Sequence, residues 1–171
     1  PIGMEIQTEA FAYASNDELN NMTFYQHTIL NRSSIRLDSC FMAQWVDPDL
    51  GNAADDYVGC DVNRGLGYYY NGDNYDGDNA GFKGYGYSPP AVGVDFFEGP
   101  YQDNDGIDNA FGIWDNEALN GIGYGDGIVD NERFGMRRFL YYSNTTNGAN
   151  PNQTDPVNSG DYYNYLRGFW K

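Results

Sequence analysis

The chain has 171 residues, and 25 acidic against nine basic residues give it a formal net charge of −16. That balance excludes nucleic acid and anionic membrane surfaces as partners, because phosphate recognition requires clustered lysine and arginine. Its 16 Tyr, 10 Phe and 3 Trp indicate a folded protein, since aromatic side chains bury large areas. No apolar run reaches the roughly eighteen residues that direct membrane insertion needs. We expect one β-rich module, residues 1–171, and a longer parent chain, because no initiator Met begins the sequence.

The first third of the chain predicts β-structure. Met4–Tyr13 alternates polar and apolar residues, and Met22–Leu30 is rich in β-branched and aromatic residues. The segment "NRSS", residues 31–34, is typical of a turn, and Ile35–Val46 predicts a strand after it. The pattern therefore predicts a hairpin of Met22–Leu30 with Ile35–Val46.

Short strands and long loops are predicted for the rest of the chain. Apolar and aromatic runs predict three strands: Leu66–Asn71, Ala91–Gly99 and Arg133–Ser143. Loops rich in Gly, Asn and Asp separate them: 72–90, 102–131 and 144–160. Ser159 or Asp161 is the expected N-cap of a short C-terminal helix. This pattern favours an all-β, β-sandwich-like fold whose long loops are organised by something other than secondary structure, and bound metal is the obvious organiser.

The segment "WVDPDLGNAADDYVGCD", Trp45–Asp61, is the first candidate metal site. It contains five aspartates and neither lysine nor arginine. Carboxylates this close repel one another unless a cation neutralises them, and calcium takes six to eight oxygen ligands. The expected ligands are Asp47, Asp49, Asp55, Asp56 and Asp61. The alternative is a solvated acidic loop whose carboxylates cap turns, with a short helix through "AADD".

A second candidate site is "DNDGIDN", with Asp103, Asp105 and Asp108. Its D-x-D-G-x-D spacing is similar to the opening of an EF-hand loop or a thrombospondin type 3 repeat. It departs from the EF-hand because Trp114, not Glu, stands at the twelfth position. The segment therefore predicts a simpler calcium loop.

The third candidate is "GDGIVDNERFG", in which Asp126, Asp130 and Glu132 could bind calcium. Alternatively, residues 125–127 form only a turn and Glu132 pairs with an arginine such as Arg133 or Arg137. A weaker acidic segment, "NGDNYDGDN", contains Asp73, Asp76 and Asp78. Together the acidic loops predict one to three calcium ions.

Catalytic and sugar-binding functions are the alternatives. Glu98, Glu117 and Glu132 are carboxylates that a glycoside hydrolase or lyase could use, but their spacing isolates no pair and no nucleophile or phosphate-binding motif is present. Exposed tyrosines such as Tyr69 and Tyr87 could stack on sugars, although buried core positions suit tyrosine equally well. The sequence therefore favours a non-catalytic calcium-stabilised structural or adhesion module over a carbohydrate-binding module or an enzyme.

The two cysteines leave two alternatives open. A disulfide between Cys40 and Cys60 would close a loop of about twenty residues and contribute roughly 3 kcal/mol. Two small buried thiols are equally compatible with the sequence. The sequence argues against a zinc site, because His27 is the only histidine and the cysteine spacing fits no zinc pattern.

Much of the chain resembles a segment of very large surface and secreted proteins of Bacteroidetes, of the kind exported by type IX secretion. The resemblance is carried by "DPDLG", "DDYVGCD", "LGYYYNGD", "SPPAVGVDFFEGP", "GDGIVDNERFGMRRFLYY" and "YYNYLRGFW". It implies an extracellular or cell-surface location, a parent chain several times longer, and calcium at the millimolar level that weak sites require. The cysteine of the "VGCD" motif matches Cys60, whereas Cys40 lies outside the motifs. The resemblance implies no particular catalytic activity.

Overall fold

A computed structural model describes residues 2–110, 121–142 and 153–170. The chain divides into two compact units, Pro1–Cys40 and Phe41–Lys171. The described residues form antiparallel sheets and one short α-helix, which confirms a β-rich fold with a C-terminal helix. The elements are β1 (Met4–Ala12), β2 (Thr23–Asn31), β3 (Asp56–Asp61), β4 (Leu66–Asn71), β5 (Tyr75–Asp76), β6 (Gly86–Tyr87), β7 (Ala91–Asp95) and α1 (Ser159–Leu166).

The first unit is a long antiparallel hairpin. Strands β1 and β2 pair along their whole length, from Met4 opposite Asn31 to Ala12 opposite Thr23. The connection contains a short 3-10 helix, Glu18–Asn21, which Asp17 caps by accepting a hydrogen bond from the N–H of the residue two positions on. Both predicted strands in this region are confirmed.

The hairpin predicted between Met22–Leu30 and Ile35–Val46 is wrong. The turn forms, because Asn31 Oδ1 accepts a 3.0 Å hydrogen bond from the backbone N–H of Ser33. The chain beyond it contains no strand through residue 46, and Ser39 has a left-handed backbone with φ +55°. Strand β2 pairs instead with β1, which precedes it in the chain and supplies the backbone hydrogen-bond partners along its edge.

The second unit contains a three-stranded antiparallel sheet in the order β3-β4-β7. Asp56 lies opposite Asn71 at one end of the β3–β4 pair, and Asp61 lies opposite Leu66 at the other. Strands β4 and β7 fall within predicted strands, whereas β3 lies in the segment interpreted as an acidic loop. The segment predicted as the loop 72–90 contains a small second sheet, in which β5 pairs with β6.

The strand predicted over Arg133–Ser143 is wrong for its described part, residues 133–142. Only Arg133 makes bridge pairs, with Tyr101 and with Ile122. Farther on, the aromatic side chains pack instead of pairing in a sheet: Tyr142 stacks on Tyr165 of α1 with ring centroids 5.2 Å apart. Packing of these rings, and not pairing in a sheet, therefore accounts for the apolar run that predicted a strand.

The C-terminal helix α1 forms as predicted, with a different N-cap. Asn158 caps it, since its Oδ1 accepts hydrogen bonds from the N–H groups of Gly160 and Asp161 at 2.9 and 3.1 Å. Ser159 is the first helical residue, and Asp161 accepts a backbone hydrogen bond from Val157 at 3.0 Å. No helix within the described residues has the length and apolar character needed to cross a bilayer.

The interior of the described residues is unusually polar. Leu50, 3% exposed, is their only buried hydrophobic side chain. The largest fully buried side chains are those of Glu132 and Asp76, each 1% exposed. Carboxylates therefore occupy positions that an apolar core fills in most domains.

Replacing Leu50 by alanine should lower the free energy of unfolding by about 2 to 5 kcal/mol, because it deletes buried methyl groups and leaves a cavity. Leu166→Ala is the matched control, since Leu166 is 42% exposed. Urea denaturation of the full chain measures both. Equal losses in the two variants would show that Leu50 is not a core position.

Candidate metal centre

Three carboxylates from two separate acidic segments meet on the surface of the second unit. Oxygen atoms of Asp103, Asp105 and Asp130 all lie within 4.8 Å of one another. Ligands of a calcium ion, each at about 2.3 to 2.6 Å, are separated by at most about 5 Å. The three oxygens can therefore bind one ion without rearrangement of the backbone.

The first of these segments turns sharply directly after its second ligand, Asp105. Gly106 has φ +79°, a conformation that glycine adopts without strain. Asp105 Oδ1 accepts a 2.9 Å hydrogen bond from the backbone N–H of Ile107, which closes the turn. The D-x-D-G spacing in the sequence thus places a sharp turn directly after Asp103 and Asp105.

Asp130 connects the second segment to the first. Its backbone is left-handed, with φ +59°, which aspartate tolerates better than most residues. Its Oδ1 accepts a 2.8 Å hydrogen bond from the backbone N–H of Gly106. The same carboxylate therefore joins the two loops and faces the cluster.

Two further predicted ligands hold the loops together. Both oxygens of Asp108 accept 2.7 Å hydrogen bonds, from the N–H groups of Gly125 and Gly127. The buried carboxylate of Glu132 accepts a hydrogen bond from the N–H of Asn109. Asp108 and Glu132 therefore already bind backbone groups and position the loops that carry the cluster.

Asp126 is bonded within its own loop. Its carboxylate accepts hydrogen bonds from the Asn131 side chain at 3.0 Å and from the Ile128 N–H at 2.9 Å, and these lower the pKa of Asp126 in that order. Because Asn131 Nδ2 is used in this way, its Oδ1 points elsewhere, and that oxygen is buried without a hydrogen-bond partner. Asn131 lines a surface depression together with Asp103 and Asp130.

The five aspartates of Trp45–Asp61 do not form one cluster. Asp47 and Asp49 are exposed. Asp61 lies at the end of β3 away from Asp56, about 16 Å along the strand at roughly 3.3 Å per residue. There it pairs with Arg64 at 2.8 Å.

Asp55 and Asp56 lie at the other end of β3, in a more enclosed environment. Burial raises the pKa of Asp56, and the negative charges of Asp55, Asp76 and Asp49 raise it further. The opposing influence is a 3.0 Å hydrogen bond from the backbone N–H of Leu50 to Asp56 Oδ2. Unlike Asp61, Asp56 is in a region of accumulated negative charge.

Asp76 forms the buried part of this region. Its oxygens accept backbone hydrogen bonds from Asn52 at 3.2 Å and from Tyr85 at 2.8 Å. A Cβ at Gly51 would lie 2.0 Å from Asp76 Oδ2, so only glycine fits there. The neighbouring Asp73 instead accepts a 2.7 Å hydrogen bond from the Tyr75 N–H and belongs to a local turn.

Asp78 is an exposed ion-pair partner. Its carboxylate binds the Lys83 ammonium and accepts a 3.1 Å hydrogen bond from the Gly84 N–H. These interactions lower its pKa, the Lys83 hydrogen bond most strongly. The weaker acidic segment therefore contributes Asp76 to an enclosed cluster, while Asp78 stays at the surface.

The structure describes two of the three carboxylates considered for glycoside hydrolysis. Glu98 is exposed and lies 3.6 Å from the Arg133 guanidinium. Glu132 is buried and cannot reach a polysaccharide in this conformation. Glu117 lies outside the described residues.

Cys40 and Cys60 are both free thiols, and Cys40 is exposed, which differs from the expectation of two buried thiols. Cys60 lies within the ladder of β3, opposite Gly67, and Cys40 is exposed. Burial, and to a lesser extent the charge of Asp61, raises the pKa of the Cys60 thiol.

The cluster of Asp103, Asp105 and Asp130 is a set of oxygen donors suited to a hard divalent cation. No family model, curated protein or solved structure matches this chain. The geometry of the carboxylates is therefore the basis on which function is inferred.

Asp56→Asn should stabilise the calcium-free protein near neutral pH. Because the folded-state pKa of Asp56 is raised, protonation of its carboxyl group stabilises the fold fully below the unfolded-state pKa of about 3.9. This stabilisation is lost as pH rises through the folded-state pKa. Asparagine stays neutral throughout. The gain in melting temperature over wild type, measured in excess EDTA, should therefore be small in acid and grow towards pH 7.

Asp61→Asn is the control for this measurement, because Asp61 lies on the same strand but is paired with Arg64. It should not gain stability on going from acid to neutral pH. An Asp56→Asn variant less stable than wild type at pH 7 in EDTA would contradict the unfavourable charge at Asp56.

Proposed function

We propose that the protein is a non-catalytic, calcium-stabilised structural or adhesion module of a large bacterial surface protein. The observation that supports this most directly is the mutual proximity of Asp103, Asp105 and Asp130, whose oxygens lie within 4.8 Å of one another. These residues come from two loops without regular secondary structure. An ion bound between them would fix the relative position of the loops.

Calcium is the cation that fits this donor set best. All the candidate donors are oxygens, which hard cations prefer, and the chain has one histidine and no zinc-type cysteine pattern. Magnesium requires near-ideal octahedral geometry and dehydrates reluctantly, whereas calcium accepts irregular loops. Binding to the folded state alone adds directly to stability, so the ion would act as a folding element.

The rest of a parent chain or a surface assembly is the proposed partner. The β1–β2 hairpin carries exposed apolar side chains, including Ile6 at 63% and Tyr25 at 65%. A two-stranded hairpin is at best marginally stable in water by itself. Neighbouring parts of an extracellular parent protein would cover its face and complete the sandwich-like packing expected from the sequence. The sequence motifs that resemble Bacteroidetes surface proteins are the reason for proposing this location.

Calcium should raise the melting temperature of the wild-type chain relative to excess EDTA. A free concentration one hundredfold above the Kd adds about 2.7 kcal/mol, which corresponds to a rise of about 5 to 10 °C for a chain of this size. Magnesium should give a smaller rise. Replacing both Asp103 and Asp130 by asparagine should reduce the calcium shift and change the melting temperature in EDTA little.

A variant with Asp61→Asn and Asp78→Asn removes the same formal charge at two surface ion pairs and serves as the control. It should keep the full calcium shift. Absence of any calcium shift in the wild-type chain at millimolar concentrations would contradict the proposed function.

Carbohydrate binding is a second candidate function, supported by one exposed aromatic pair. Tyr75 and Tyr87 are 50% and 80% exposed, and their ring centroids are 4.8 Å apart. Tyr69, also expected to stack on sugars, is half-buried, and burial followed by the charge of Asp56 raises its pKa. Stacking on sugars would therefore have to use Tyr75 and Tyr87.

If the module binds glycans, Tyr87→Ala should abolish binding on a glycan array without changing the melting temperature, because its side chain is mostly exposed. Tyr85→Ala, at a residue 60% exposed on the same segment, is the control. Binding that survives Tyr87→Ala, or an array without any bound glycan, would remove this candidate.

A further inference from the structure

Three buried oxygen atoms without hydrogen-bond partners lie at the Asp56 end of the β3–β4 pair. They are the Oδ1 atoms of Asp55, Asp56 and Asn71. A buried acceptor without a donor costs about 1 to 3 kcal/mol, and more for a charged group. Three such acceptors at one strand end, two of them on carboxylates, therefore favour a positively charged partner.

The backbone brings these three residues together. Asp56 and Asn71 are directly opposite in the antiparallel ladder, so their side chains leave the same face of the sheet with Cβ atoms about 4.5 to 5.5 Å apart. The carbonyl of Asp55 accepts a 2.8 Å hydrogen bond from the N–H of Gly72, the residue after Asn71. Asp55 is thereby fixed beside the same strand end.

A hydrogen bond donated by its side-chain nitrogen sets the orientation of the Asn71 amide. Asn71 Nδ2 donates a 3.1 Å hydrogen bond to the Asp73 carbonyl. Rotating the amide would place two acceptors against each other, so Oδ1 must face away from Asp73. The Asn71 side chain is 6% exposed, which leaves this oxygen aimed into the protein without a donor.

The basic residues of this region are already engaged. Between Asp47 and Ala91 the sequence contains only Arg64 and Lys83. Arg64 pairs with Asp61, and Lys83 pairs with Asp78. Neither cation is therefore available to neutralise Asp55 and Asp56.

We propose that Asp55, Asp56 and Asn71 bind a second calcium ion, at a buried site separate from the Asp103 cluster. Two carboxylate oxygens and one amide oxygen form an all-oxygen donor set of the kind calcium selects. Asp76, whose oxygens are bonded to backbone N–H groups, adds negative charge nearby. The site goes beyond the proposed function, because it does not depend on binding at Asp103, Asp105 and Asp130.

The sequence indicated only part of this site. Asp55 and Asp56 belong to the acidic segment, but Asn71 belongs to "YYYNGD", which predicts a strand. The register of the β3–β4 hairpin is the signal that joins them. Recognising "DDYVGCD" as a strand would have placed Asn71 opposite Asp56.

Counting bound calcium tests the proposal on the full chain. Isothermal titration with calcium chloride should give two ions per chain for wild type. The Asp103→Asn, Asp130→Asn variant should retain one, Asp56→Asn should retain one, and the triple variant should bind none. Asp61→Asn, on the same strand as Asp56, should still bind two.

The outcomes separate this site from the Asp103 cluster. One ion in wild type that Asp56→Asn removes supports the buried site and overturns the proposed centre at Asp103. One ion that only the Asp103→Asn, Asp130→Asn variant removes overturns the buried site and leaves the proposed function standing. Wild type that binds no calcium overturns both.

A second variant covers the case in which Asp56→Asn does not fold, as judged by circular dichroism. Asp55→Asn keeps the size of the side chain and removes its charge, and it should weaken one of the two binding events at least tenfold. Unchanged affinity at both sites in a folded Asp55→Asn protein would overturn the proposal.

Discussion

Hydrogen bonds from backbone N–H groups to buried carboxylates determine how the second unit is built. An ionised carboxylate withdrawn from water loses several kcal/mol of hydration and must recover it from nearby donors or cations. Asp76 recovers part of it from the N–H groups of Asn52 and Tyr85, and Glu132 from that of Asn109. The bonds from Asn52 and Asn109 span 24 and 23 residues of the chain, and the bond from Tyr85 spans nine. The carboxylates therefore hold the loops together, as a hydrophobic core holds together the elements of an ordinary domain.

The two candidate ion sites differ in how far hydrogen bonds within the protein already satisfy their carboxylates without an ion. At the Asp103 cluster, backbone N–H groups donate hydrogen bonds to Asp108, Asp130 and Glu132 and already join the two loops, and two of the three ligands are exposed. At the β3–β4 end, unpaired oxygens are buried, and Arg64 and Lys83, the two basic residues of the surrounding sequence, already pair with Asp61 and Asp78. The first site would add an ion to loops that are already joined. An ion at the second site would supply positive charge beside carboxylates that lack a basic partner.

The sequence predicted the strands better than their partners. Alternation and aromatic content located β1, β2, β4 and β7, because these are local properties of a segment. Which strand pairs with β2 depends on long-range hydrogen bonds, and the nearby turn at Asn31 pointed to the wrong neighbour. The same limit applied to the candidate ligands, because local sequence locates a residue but not its distant partner. Composition identified Asp103, Asp105 and Asp130, but their union across two loops, like the pairing of Asp56 with Asn71, required the tertiary structure.

The presence of Leu50 as the only buried hydrophobic side chain among the described residues has a thermodynamic consequence. The heat capacity of unfolding comes mainly from water ordered around newly exposed apolar surface, at about 0.45 cal/mol/K for each Å². A unit that exposes little new apolar area has a small heat capacity change, and polar exposure reduces it further. Its stability curve is therefore broad and shallow, so that cooling or moderate warming alters its free energy of unfolding less than in a domain with a large apolar core.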